Sequence, residues 1–78
     1  MTLRGPVGDL VKLFKRAYAL AHASGVPAPT LYAAMSKTRG GTVASVTVCF
    51  RLARAWAEKT SAKPAEELAM AARLAGID

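Results

Sequence analysis

Few side chains in this 78-residue chain are equipped to make or break bonds. His22 is the single histidine and Cys49 the single cysteine, so no second imidazole for a metal is available, and no Cys/His arrangement with a sensible role appears. Asp9 and Asp78 stand near the two ends, which leaves no workable Ser/His/Asp arrangement. Gly40–Gly41 lacks the following Lys-Ser/Thr that a phosphate-cradling loop of Walker type needs. The pattern predicts a protein that is not an enzyme and uses no cofactor or metal. His22 is expected at a structural or solvent-facing position, and Cys49 as a small buried hydrophobe. The remaining chemistry is ionic. Eleven Lys and Arg against five Asp and Glu give a net charge of +6, which points to a polyanion, either nucleic acid or an anionic membrane surface.

The elements that must position those charges fit one small domain, residues 1–78. A chain of this size buries only about 60% of its unfolded surface, so a second copy would add stability. Hydrophobic residues make up 53% of it, yet only five residues are aromatic and alanine is abundant. That composition suits closely packed helices and predicts an all-α bundle of four to five short helices. A lone cysteine gives no disulfide, and no 18-residue apolar run or signal-peptide pattern appears, so a cytoplasmic protein without a membrane partner is expected.

Residues 1–7 read as an N-terminal arm containing Arg4. A helical pattern begins at Gly8, with Asp9 near the positive end of the helix dipole and Leu10, Leu13, Phe14 and Ala17 on one stripe. Either one helix runs from about Gly8 to Ser24, or the chain bends near Arg16 to Tyr18. Gly25 supplies the positive φ that a tight corner requires, with Ala21 at the close approach and Val26 and Leu31 packing inside it. Pro29 opens the next helix with Ala28 as its cap, and the helix continues to Lys37. Lys37–Ala44 reads as a basic glycine-containing loop. Ser45 caps a helix ending near Lys59 whose stripe holds Val46, Cys49, Phe50, Leu52, Ala53 and Trp56, although Val46, Val48, Phe50 and Leu52 alternate like a strand and residues 42–48 are open to that reading. Tyr18 is open to either a core or a phosphate-contacting role. Pro64 opens the last helix, with Glu66 and Glu67 in its first turn, a stripe of Ala65, Leu68, Ala69, Ala72 and Ala75, and Gly76 at its end.

The order LAHASGV, TLYAAMS, a basic glycine-rich loop and SVTVCFRLARAW resembles the lambda-repressor-like (Xre/Cro-type) helix-turn-helix family, including the antidote proteins of addiction modules. The resemblance covers about half the chain, Leu20 to Trp56. It implies a regulator, by family habit a repressor of a phage, plasmid or other mobile element. Such a protein binds operator DNA as a homodimer with the Pro29–Lys37 helix in the major groove. Base contacts would then fall to Ala28, Thr30, Tyr32, Ala33 and Ser36, with Ala28 and Ala33 meeting thymine methyl groups. Backbone contacts would fall to Lys37, Thr38, Arg39 and Gly40. The departure from the family pattern is that no Arg, Lys, Asn or Gln lies between Gly25 and Ser36 for bidentate base recognition. Readout would then lean on DNA shape or on the arm with Arg4, or the fold would bind a polypeptide instead. Residues 64–75, with some help from Ser45–Lys59, are the expected dimer face.

Overall fold

The computed structural model describes residues 3–77, so the first two positions of the expected arm lie outside the described residues. Five helices follow in order: α1 Gly5–Phe14, α2 Ala17–Ser24, α3 Ala28–Ala34, α4 Val46–Thr60 and α5 Pro64–Leu74. The fold is all-α, and among the described residues no strand forms at 42–48.

Helix α1 begins before the position its periodicity suggests. Arg4 is extended and its carbonyl accepts from the Gly8 N–H at 2.9 Å, while Pro6 occupies the first turn, where a missing N–H is harmless. The expected arm is therefore corrected from Gly5 onward, because Val7 is fully buried and anchors the helix start. Asp9 falls outside the first turn and pairs instead with Arg73 of α5 at 3.5 Å. The buried stripe is Val7, Leu10 and Val11, with Phe14 partly buried against the core. Leu13, expected inside, is exposed.

The chain between Gly8 and Ser24 is two helices. Lys15 takes the left-handed conformation at φ 73°, Arg16 is extended, and α2 starts at Ala17. A left-handed non-glycine residue costs about 1–2 kcal/mol. Burial of Leu10 and Val11 before the break and of Ala17 and Leu20 after it offsets that cost.

Helix α4 lies at the centre, packed on both α2 and α5. Ser45 caps it by accepting from the Val48 N–H at 3.4 Å. Leu52 and Ala53 are fully buried, Cys49 nearly so, and Trp56 packs against the core from its edge. After α4, Ser61 is left-handed, and Pro64 starts α5 with Glu66 Oε1 accepting from the Lys63 N–H at 3.1 Å. Helix α5 turns Met70, Ala71 and Leu74 inward, so Ala65, Leu68 and Ala69 of the expected stripe face outward.

Candidate nucleic-acid interface

Helices α2 and α3 meet at the corner the sequence marks. Gly25 sits at φ 75°, and its N–H donates to the Ala21 carbonyl at 2.9 Å. The Ser24 hydroxyl donates to the Leu20 carbonyl at 2.7 Å and accepts from the Val26 N–H at 3.3 Å, which locks the turn. Val26 and Leu31 fill its inside. A β-carbon on Gly25 would come within 3.8 Å of Arg51 Nη1, so the guanidinium from α4 stands beside this corner.

The outer surface of α3 is open to solvent, but it is shorter than expected and begins one residue earlier. Pro27 is the capping residue, and its carbonyl accepts from the Thr30 N–H at 3.0 Å. Ala28 is thereby the first helical residue and is 93% shielded, as its 7% exposure shows, so it cannot meet a thymine methyl as expected. Tyr32 and Ala33 are exposed, and Thr30 is half-buried.

Helix α3 stops at Ala34 rather than Lys37, because Met35 turns into the core and the Ser36 N–H bonds back to the Ala33 carbonyl at 3.2 Å. Ser36 therefore belongs to the loop, where its Oγ accepts from the Arg39 N–H at 3.4 Å and lies 3.4 Å from Thr38 Oγ1. Lys37, Thr38, Arg39 and Gly40 are all exposed on this loop.

The two glycines do different things. Gly41 is buried against the protein's own backbone. Its N–H donates to the Ala34 carbonyl at 2.8 Å and its carbonyl accepts from the Val7 N–H at 3.0 Å. The loop is thus pinned to the start of α1. Gly40 faces open space.

Thr30, Ala33, Arg39, Thr42 and Ser45 line one shallow cleft of about 190 Å³ between α3, the loop and the start of α4. The structure thereby brings together Thr30 and Ala33 from the expected base readers and Arg39 from the expected backbone contacts. Lys37 and Thr38 stand on the same loop outside that cleft, and Tyr32 lies on the outward side of α3. Tyr18, at the start of α2, is 68% exposed and so is not a core residue. The Cys49 thiol donates to the Val43 carbonyl at 3.6 Å, and burial pushes its pKa up, a rise that its own backbone hydrogen bond partly opposes.

The middle of the chain carries one further charge signal. Between Asp9 and Glu58 the chain has no acidic residue, yet it carries Lys12, Lys15, Arg16, Lys37, Arg39, Arg51 and Arg54. All of these are exposed, and none forms an ion pair among the described residues. The stretch spans α2, α3, the loop and most of α4, so the charge asymmetry coincides with the elements around the Gly25 corner. Comparison of the chain with family models, curated proteins and solved structures finds no match.

Proposed function

We propose that this protein is a DNA-binding transcription regulator of helix-turn-helix type, a repressor by its family resemblance, acting in the cytoplasm as a homodimer. The observation that carries this reading is the exposed outer face of α3, held by the Gly25 corner and set in a stretch, Asp9 to Glu58, with seven exposed cations and no acidic residue between those two. Helix α3 enters the major groove, and Lys37 and Arg39 meet phosphates on one flank. Thr30 and Tyr32 supply hydroxyls to base edges, and the Ala33 methyl meets thymine. With no bidentate reader on α3, phosphate contacts dominate affinity and sequence-dependent DNA shape carries much of the selectivity.

A second reading, an antitoxin-like module that binds a polypeptide, is favoured by the entry to α3. Pro27 and Pro29 are exposed there and Ala28 is turned inward, which leaves no hydrogen-bonding side chain among residues 27–29.

Selection of bound fragments from a random duplex pool separates the two. The first reading expects a two-fold symmetric consensus with half-sites about 34 Å, one helical turn, apart. A pool that emerges unenriched would refute it.

A further inference from the structure

Helices α4 and α5 leave a groove of about 210 Å³ that the core does not fill. Val46 and Phe50 of α4 stand one turn apart on one rim, and Leu68 of α5 stands on the other, all exposed. Ala72 and Ala75 are too small to fill the hollow, and exposed Ile77 closes its end. Ile77 is fixed there by paired bonds at the helix terminus. Its N–H donates to the Ala72 carbonyl at 2.8 Å, and the Gly76 N–H donates to the Arg73 carbonyl at 3.0 Å. No described residue lining this groove is charged, whereas two other clefts of similar size carry Arg39 or the pair Glu66 and Arg73.

Both walls of the groove are tied to the loop that presents Arg39. Cys49 lies on the floor, and its thiol donates to the Val43 carbonyl at 3.6 Å. The Val43 N–H donates to the Leu74 carbonyl of α5 at 2.7 Å. One residue earlier, the Thr42 hydroxyl and N–H both donate to the Arg39 carbonyl, at 2.8 and 3.2 Å. A change in the spacing of α4 and α5 therefore reaches Arg39 through two adjacent residues.

We propose that this groove binds an uncharged apolar small molecule the size of a bicyclic aromatic, and that its occupancy is transmitted through Val43 and Thr42 to the Arg39 loop. The site goes beyond the proposed function, and only its consequence for DNA rests on that reading. Charge selects the ligand class: an ionised group entering this lining would lose water and gain no partner. Volume selects the size. An apolar cavity of about 150 Å³ holds benzene, so about 210 Å³ accommodates a second ring.

Area excludes a macromolecule held by this groove alone. Its four exposed large side chains offer on the order of 400 Å² of apolar surface. A contact built on them would total about 800–1,000 Å² with its rim, short of the roughly 1,200–2,000 Å² of stable specific interfaces. Two copies on one operator are held by the duplex and need no more. A ligand seated between α4 and α5 is accommodated best when the Val43 contacts slacken, so ligand and ordered loop oppose each other.

Titration of the isotope-labelled intact chain with indole, an uncharged bicyclic aromatic, tests this without DNA by amide shifts and hydrogen exchange. The Phe50, Ala72 and Ala75 amides should shift together and saturate, with a dissociation constant of about 1 mM or tighter. The Val43 N–H should exchange at least threefold faster with indole bound. Indole-3-carboxylate, the same ring with a charge, should leave the groove amides unmoved. Ala72→Leu and Ala75→Leu each fill the hollow and should weaken indole binding at least tenfold. Ala65→Leu, at an exposed alanine of α5 outside the groove, should not. Circular dichroism checks that helix content is kept, and Ala75, beyond the last residue of α5, decides alone if Ala72→Leu unfolds. No saturable shift, or shifts that both filling variants leave unchanged, overturns the site, and unaltered Val43 exchange overturns the transmission. A chain that behaves as described with indole but ignores DNA would sink the DNA reading and leave this assignment standing.

Discussion

Replacing Gly41 with alanine tests how the loop that presents Lys37 and Arg39 is held. Gly41 has φ 88°, where a side chain costs about 1–2 kcal/mol. A β-carbon there would also overlap the Arg4 carbonyl oxygen and press on the Gly5 α-carbon, both rigid backbone. Forcing an atom into filled space adds about 1–3 kcal/mol. The sum is about 2–5 kcal/mol, a large share of the roughly 4–12 kcal/mol available to a domain of this length. For a small domain, at about 4–8 °C per kcal/mol, it corresponds to a fall in melting temperature of about 8–40 °C. Gly40 is the control. Its φ is 63°, but a β-carbon there meets nothing within 4 Å. Only the backbone cost applies, so Gly40→Ala should lose about 4–16 °C, less than Gly41→Ala. Thermal melts followed by circular dichroism compare the two. Equal losses, or a Gly41 variant as stable as the Gly40 one, would refute the claim that the loop is pinned to α1.

Other predictions follow from single contacts. Ser45→Ala removes the cap of α4 and should cost about 1 kcal/mol, read as a drop of several degrees in the same melts. Asp9→Asn should change stability by less than about 1 kcal/mol, since both partners of the pair with Arg73 are more than half exposed; a larger loss would show that the pair matters to α1–α5 docking. Burial raises the Cys49 pKa above its ordinary 9.0, so the neutral thiol stabilises the folded state fully below that pH and the contribution is lost as pH rises further. Denaturant midpoints should fall above about pH 9 in the parent and less steeply in Cys49→Ala; parallel profiles would contradict the assignment.

The sequence made visible those features that rest on a residue with a special backbone or capping role. Gly25 could be read as a corner because only glycine enters the left-handed region cheaply, and it does so at φ 75°. Ser45, Pro64 and Gly76 marked helix ends for similar local reasons, and each sits at one. Between one helix over Gly8–Ser24 and a bend near Arg16 to Tyr18 the sequence could not choose, because the break rests on Lys15, a residue that does not favour the left-handed conformation tertiary packing imposes on it. The register of α1 was misread: the stripe was placed on Leu10, Leu13, Phe14 and Ala17, whereas Val7, Leu10 and Val11 are buried and Leu13 is exposed, since the helix starts at Gly5 and so includes Val7. Of the expected site, Tyr32, Ala33 and the Lys37–Gly40 loop are exposed and available. Ala28 was misjudged because Pro27, not Ala28, caps α3. That Gly41 would contact the protein's own chain could not be seen, since the crossing joins segments more than thirty residues apart in sequence.

The most direct test of the central claim is a salt titration of binding to a random duplex by fluorescence anisotropy. It compares the parent with a variant in which Lys37 and Arg39 are both alanine. If α3 docks with that loop on the phosphates, the parent's affinity falls linearly on a logarithmic salt scale, with a slope of about −0.9 per phosphate contact. The double variant should bind more weakly at every salt concentration, with a slope shallower by about 2 per chain engaged. No binding by the parent at low salt, or identical slopes for the two proteins, would contradict the account.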